Sequence, residues 1–315
     1  MSVENIRNFI PKDTVGLFDD IVSGKVLGAS NHIKMIGEML KSIANNETDD
    51  EICFKHIQEL VKYFKDTRGK SSYAIVSALN LMTNSLKYGK DNIKDSIRNG
   101  VEDYFRQSET ASKNVVEYSI RLAKDMKTIM IFDYSSTVEK FISNLPNKIK
   151  IYIPESRVIN GGKPFVAAAI NSGHYVHFIA DAAMLSVLHN IDAVFIGAET
   201  FYPNGSAFNT VGSDMLAEIC KLHYVPYYVL TPLIKVDMRV IEGIFKEPIN
   251  TNLKNILCND LDENIKDKID FSSLELVEIK PEYITAFVTE NGIFSPQSMY
   301  TVSKEFDEKV NGGRI

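Results

Sequence analysis

Near residue 125 the apolar residues change their spacing, and this change limits the possible folds more than any other feature of the chain. Before it they recur at helical intervals. In His32-Ile33-Lys34-Met35-Ile36-Gly37-Glu38-Met39-Leu40 the residues Ile33, Ile36 and Leu40 share one face. Further on, Ile57, Leu60, Val61 and Phe64 fall at i, i+3, i+4 and i+7, a single helical stripe. Segments 71–88 and 91–124 repeat the pattern, glycine is sparse, and strand-like alternation is missing. This half predicts a bundle of about five helices.

After Lys127 short apolar runs take over: Thr128-Ile129-Met130-Ile131-Phe132, Ile149-Lys150-Ile151-Tyr152-Ile153, Val176-His177-Phe178-Ile179, Ala193-Val194-Phe195-Ile196 and Pro226-Tyr227-Tyr228-Val229-Leu230. Runs of this length, rich in β-branched and aromatic residues, suit strands buried on both faces of a parallel sheet. Segments 137–144, 163–171, 182–188 and 214–221 read as crossover helices between them. A polar stretch at 259–270 reads as a long loop before a last strand at 283–288. The predicted fold class is therefore α/β, an N-terminal helical bundle followed by a Rossmann-like doubly wound parallel sheet. The expected division is a helical domain over residues 1–126 and an α/β ligand-binding and dimerisation domain over 127–315.

Composition narrows the partners. The 315 residues carry a formal net charge of -6, with no basic surplus to neutralise a nucleic-acid backbone. Cys53, Cys220 and Cys258 form no CxxC pair, which argues against a disulfide framework or zinc site and fits a reducing compartment. The first residues, MSVENIRNFIPKD, lack a signal peptide's apolar run, and no stretch approaches the ~20 apolar residues that span a bilayer. A cytoplasmic protein with no direct nucleic-acid or membrane partner is the expectation, with no metal and no cofactor. His174 and His177, three apart on a predicted strand, would face opposite sides and read as core-edge or solvent-facing residues.

In a doubly wound sheet the ligand sits beyond the carboxyl ends of the strands. The loops there are Asp133-Tyr134-Ser135-Ser136, Pro154-Glu155-Ser156-Arg157, Ala180-Asp181-Ala182-Ala183 and Gly197-Ala198-Glu199, followed by Asn204-Gly205 and Asn209-Thr210-Val211-Gly212-Ser213. Hydroxyls and helix N-terminal amides suit a phosphate, and carboxylates and amides suit a polyol. Each piece also has a plain structural reading. Asn204-Gly205 makes a turn, Ser135-Ser136 caps a helix, and Asp181 before a helix is first of all an N-cap candidate. Arg157 and Glu199, directly after apolar strands, are the better site candidates.

Several of these pieces, in order, resemble the superfamily of initiation factor 2B regulatory subunits and of the isomerases acting on methylthioribose 1-phosphate and ribose 1,5-bisphosphate. Val26-Leu27-Gly28-Ala29-Ser30 looks like its V-x-GA motif. Thr67-Arg68-Gly69-Lys70-Ser71-Ser72 is similar to the segment whose arginine holds phosphate, and Pro154-Glu155-Ser156-Arg157 to E-[ST]-R, which also contacts phosphate. Asp181-Ala182-Ala183 corresponds to the family's aspartate with small residues. Gly197-Ala198-Glu199 through Ser213 corresponds to GA[DE]…NG…NKIGT, and 284–292 to the last strand. The resemblance implies phosphate or substrate binding at Gly28, Ala29, Ser30, Arg68, Ser135, Ser136, Arg157, Asn209 and Thr210, and homodimers formed through the α/β half. Residues 224–228 supply apolar surface for such a dimer, although packing inside the domain explains those tyrosines equally well.

Departures from the pattern bear on the chemistry. Asp133 stands where the isomerases carry a catalytic cysteine, Glu199 where they carry an aspartate, and Thr210 where the family usually has lysine. Asp133 and Glu199 are the catalytic candidates, able to act as acid and base if the environment raises one pKa. The first expectation is an isomerase-like protein that binds a phosphorylated pentose of the ribose 1-phosphate type. The second is an initiation factor 2B-like regulatory subunit that senses a phosphorylated metabolite or nucleotide and binds protein partners. An enzyme turns its ligand over and a sensor only binds it.

Overall fold

The computed structural model describes residues 2–26, 28–84, 86, 92–258 and 260–311. Leu27 of the first motif, parts of segment 71–88, Asp91 and Asn259 lie outside the described residues. The chain divides into two compact units, residues 1–110 with 304–315, and residues 111–303.

The first unit is helical. Its elements are α1 (Val3–Arg7), α2 (Val15–Val22), α3 (Ala29–Asn46), α4 (Asp50–Asp66), α5 (Arg68–Ser71), α6 (Tyr73–Thr83) and the start of α7 (Ile93–Leu122). Five of these have eight residues or more, in number as expected; α3, α4, α6 and α7 carry the stretches named above, and α2 was not among them. Ile33, Ile36, Met39, Leu40 and Ile43 form the buried stripe of α3, and Ile57, Leu60, Val61 and Phe64 that of α4. Asp49 caps α4 by accepting the Glu51 and Ile52 amides.

In the second unit the predicted βα alternation is realised. The strands are β1 (Thr128–Phe132), β2 (Lys150–Pro154), β3 (Tyr175–Ile179), β4 (Ala193–Ile196), β5 (Thr200–Phe201), β6 (Ala207–Thr210), β7 (Tyr227–Leu230), β8 (Asn250–Asn252), β9 (Ser272–Leu274), β10 (Leu276–Ile279), β11 (Ala286–Thr289) and β12 (Gly292–Phe294). Helices α8 (Ser136–Ser143), α9 (Lys163–Asn171), α10 (Met184–Val187) and α11 (Ser213–Leu222) follow β1, β2, β3 and β6, and α14 (Met299–Asn311), most of whose residues belong to the first unit, comes last in the chain. The main sheet has the order β12-β11-β7-β4-β1-β2-β3, parallel except for the β11–β12 pair. Its core combines Ile129, Ile131, Ile151, Ile153 and Phe195 with Phe141 of α8 and Phe165 of α9.

Two local expectations change. β3 is an edge strand, not one buried on both faces: Tyr175 is 71% and Phe178 42% exposed. The polar stretch 259–270 is also not all loop. It contains the short helix α13 (Glu263–Lys266) and, with α12 (Lys254–Leu257), lies between the paired strands β8 and β9. Asp262 caps α13 through the Asn264 amide, so the polar residues that suggested a loop act here as helix-capping signals.

Candidate active site

Strand order reverses at β1. From it the chain builds outward through β2 and β3 on one side and through β4, β7 and β11 on the other. The crevice beyond the carboxyl ends of β1 and β4 is the topological switch point where open α/β sheets hold ligands. Register places Phe132, the last residue of β1, opposite Ile196, the last of β4. Asp133 and the Gly197-Ala198-Glu199 loop therefore leave the sheet side by side.

Asp133 is the centre of this edge. It is 4% exposed and has φ 57°, a left-handed conformation that aspartate tolerates better than most residues. Its Oδ1 accepts a hydrogen bond from Ser156 Oγ at 3.0 Å and its Oδ2 one from Thr210 Oγ1 at 2.7 Å. One carboxylate thus joins the loop after β1 to the loop after β2 and to the end of β6. Burial pushes the Asp133 carboxyl above its usual range; the two hydroxyls and the Tyr134 amide oppose the shift, and the nearby Asp181 carboxylate adds to it.

The loop after β2 is held from both ends. Ser156 and Asn160 have φ of 48° and 53°. The loop closes on itself through Gly161 N–H to Ser156 O and Gly162 N–H to Glu155 O. Asp181 accepts the backbone amides of Ser156 and Arg157, both at 2.8 Å. This corrects its reading as an N-cap: the short helical turn beginning at Asp181 has no side-chain cap, and the carboxylate secures a neighbouring loop. Glycine is needed for the close approaches. A Cβ on Gly161 would lie 2.1 Å from Asp133 Oδ1, and one on Gly197 would lie 2.4 Å from Ser135 Oγ.

The remaining candidates are placed as follows. Ser135 is the N-cap of α8, its Oγ accepting the Val138 amide at 3.4 Å, and Ser136 opens that helix. Arg157 donates to the Ile256 carbonyl at 3.1 Å and lies 3.5 Å from Glu155, at the exposed rim of the loop. Asn209, buried on β6, pairs with Val277 of β10. Asn204-Gly205 is a turn, with Asn204 Oδ1 accepting from the Ser206 amide and hydroxyl. His174 is buried, its ring within 2.8 Å of the Ile142 carbonyl, and His177 packs on Tyr152, so neither is placed as a metal ligand. Among the described residues no cluster of potential metal ligands occurs.

Glu199 is half-buried, and two lysines that the sequence reading passed over act near it. Lys235 donates to the Ala198 carbonyl at 2.6 Å. Burial lowers the pKa of Lys235 and Lys246, and the Glu199 carboxylate opposes the shift in both. The signal for Lys235 was present, a lone lysine in the apolar run Leu233-Ile234-Lys235-Val236 just after a strand.

In the first unit, Gly28 (φ 91°) precedes α3, an 18-residue helix without a side-chain cap whose first residues are Ala29 and Ser30. Arg68 opens α5 and its guanidinium donates to the carbonyls of Ile21 and Val22.

The family model for the initiation factor 2 subunit family matches residues 26–296. The chain belongs to that family. Among its relatives, a ribose 1,5-bisphosphate isomerase of Pyrococcus furiosus is 24% identical, over 94% of both chains. A methylthioribose-1-phosphate isomerase of Thermosipho melanesiensis is 25% identical over 82% of this chain and 80% of its own. A Pyrococcus horikoshii structure described as translation initiation factor eIF-2B superposes with a TM-score of 0.74 at 19% identity, covering 91% of this chain and 98% of its own. Proteins named as isomerases and a structure described as an initiation factor are thus both similar to this chain.

Proposed function

We propose that the crevice beyond β1 and β4 binds a phosphorylated pentose of the ribose 1-phosphate type and that the protein acts as an aldose–ketose isomerase. The observation that carries this reading is Asp133, a buried carboxyl with a raised pKa at the topological switch point, held by two hydroxyls. Isomerisation moves a hydrogen between C2 and C1 while C2 is oxidised and C1 reduced, which calls for an acid–base group fixed beside those carbons. A carboxyl whose pKa lies nearer neutrality suits that task. Glu199, with Lys235 beside it, serves as the second group. The start of α8 and a basic residue supply the phosphate site, through Ser135, Ser136, Asn209 and Arg157 of the second unit. Arg157 would exchange its Glu155 contact for the phosphate.

The isomerase activity named for the relatives favours turnover. The test is conversion of a pentose 1-phosphate to its ketose, followed by NMR. Activity in the wild type that falls at least tenfold in Asp133→Asn, with folding intact, supports the reading; full activity in the variant refutes Asp133 as the acid–base group.

A second reading is favoured by the paired departures Asp133 and Thr210, which bond to one another where the resemblance expects cysteine and lysine. In this reading the protein is a sensor that binds the sugar phosphate or a nucleotide and passes the signal to protein partners. Saturable binding without turnover in the same assay would select it. On either reading we place the protein in the cytoplasm as a homodimer. Among the described residues no helix is long and apolar enough to cross a membrane. Met215, Leu222 and Tyr224 are exposed by 47%, 72% and 93% on and just after α11, and supply the apolar face, whereas Tyr227 is fully buried and belongs to the core. Sedimentation of the wild type as a dimer and of Leu222→Asp as a monomer would bear this out.

A further inference from the structure

Helix α4 lends one line of side chains to a cavity of about 510 Å³ in the helical unit. Ile57, Val61 and Lys65 follow one another at i, i+4 and i+8, so they stand on one face of the helix. All three line the cavity, together with Leu86 from the chain beyond α6. Ile57 is wholly buried and Val61 is buried, which makes this wall apolar. The volume falls within the range of sites that hold small molecules.

Lys65 ends that wall and differs from the rest of it. Its ammonium donates to the side-chain oxygen of Asn80 on α6, a neutral partner. Among the described residues no carboxylate pairs with it, and burial lowers its pKa with no carboxylate opposing the shift. Of the three hydrogens on the ammonium one goes to Asn80, and two remain for a ligand. The other charged side chains lining the cavity, Lys62 and Asp66, pair with each other at 2.8 Å. The Thr83 hydroxyl, also in the lining, donates to the Leu79 carbonyl. The cavity thus carries one cation in surplus, half-buried at the end of an apolar wall. A half-buried cation without a counter-ion is unfavourable, and a carboxylate brought to it relieves that penalty through charge-assisted hydrogen bonds.

We infer that this cavity binds a monocarboxylate with a straight hydrocarbon chain, its carboxylate on Lys65 and its chain along Val61 and Ile57. From Ile57 to Lys65 the helix axis rises about 12 Å. An extended chain of about eight carbons, with the carboxylate–ammonium contact added, covers that distance. Inorganic phosphate is a poorer occupant, because the aliphatic wall offers it no donor. A cationic amphiphile would meet Lys65 with like charge. The site belongs to the helical unit alone and does not rest on the sugar-phosphate reading.

The test is calorimetric titration of the full-length protein with octanoate, hexanoate and octylamine, for the wild type and for Lys65→Met. Saturable binding of octanoate to the wild type is expected, with hexanoate roughly tenfold weaker because two methylenes leave the wall. Octylamine should show no saturable binding. Lys65→Met keeps an unbranched stem, removes a charge that lacks a counter-ion, and should bind octanoate at least about tenfold more weakly. The absence of saturable octanoate binding to the wild type overturns the inference. Octylamine binding as tightly as octanoate, or hexanoate binding as tightly, overturns it as well, and these comparisons need no variant. Wild-type affinity for octanoate in a folded Lys65→Met overturns the assignment of the carboxylate to Lys65.

Discussion

The two units of the chain differ in where several of their charged side chains lie. In the helical unit, ion pairs lie on the surface: Arg7–Asp19, Lys41–Glu102 and Lys62–Asp66 have solvent around both partners. Its interior is aliphatic and aromatic, with Phe18, Ile36 and Phe64 wholly buried. Some ionisable groups of the α/β unit are buried, as Asp307 of α14 is in the helical unit. Asp133 and Asp237 are 4% and 2% exposed, and Asp237 is gripped at both oxygens by Arg239. Buried charge costs stability unless it is hydrogen-bonded, and Asp133 at the carboxyl end of β1 is held by two hydroxyls.

The sharpest way to break this contrast is a matched pair of glycine substitutions. A Cβ on Gly100 of α7 would lie 2.1 Å from the Met82 carbonyl oxygen, and one on Gly162 would lie 2.1 Å from the Pro154 carbonyl oxygen. In both cases backbone must move, and each alanine variant should lose about 3 kcal/mol in urea unfolding. The difference should appear in binding. Gly100→Ala should keep its affinity for a pentose phosphate below its lowered midpoint, while Gly162→Ala, which displaces the Ser156–Arg157 loop, should lose it. Equal affinities would contradict a site built on that loop.

Asp133→Ala comes next. It removes the acceptor of the Ser156 and Thr210 hydroxyls and should cost about 1–3 kcal/mol in the same unfolding assay, together with turnover. A helical-unit substitution of equal cost should leave turnover intact.

A smaller effect follows from the direction of the Asp133 pKa. The folded-state value lies above the ordinary 3.8, so the folded protein binds this proton more tightly than the unfolded chain does. The associated stability is fully present below pH 3.8 and is lost as pH rises through the folded value. Asp133→Asn lacks this component. Its stability relative to the wild type should therefore improve as pH rises from 3.8 through the folded-state value and then level off, as read from urea midpoints at each pH. A constant difference would contradict the upward shift.

Smallest of all is the response of the helical unit's surface pairs. Arg7→Ala or Lys62→Ala should leave the thermal midpoint unchanged within error, because exposed pairs are screened and flexible.

The parts of the fold that could be read from the sequence are those fixed by local periodicity. The stripe Ile57, Leu60, Val61, Phe64 and the runs 128–132 and 193–196 reappear as predicted, because burial of a regular element imposes its period on the residues. β3 was harder, since Val176-His177-Phe178-Ile179 reads as apolar and nothing local tells an edge strand from a central one. The same limit applies at the site. Asp133, Glu199 and Arg157 were legible as residues in strand-end loops. The pairing of Asp133 with Thr210, 77 residues later, depends on β6 being brought back to the end of β1, and the hold of Asp181 on the Ser156 and Arg157 amides on the register of β3 with β2. Both are products of tertiary topology.

The central claim, that the switch-point crevice is a sugar-phosphate site, is tested most directly by the thermal midpoint of the wild type and of Arg157→Ala against ribose 1-phosphate, ribose 1,5-bisphosphate, methylthioribose 1-phosphate, ribose 5-phosphate, AMP and GDP. A ligand at about 100 times its dissociation constant adds roughly 2.7 kcal/mol, enough to move the midpoint by several degrees. The account predicts such a shift with a pentose phosphate, lost in Arg157→Ala. A flat response to every compound would contradict it and leave the family fold here as a scaffold for protein partners.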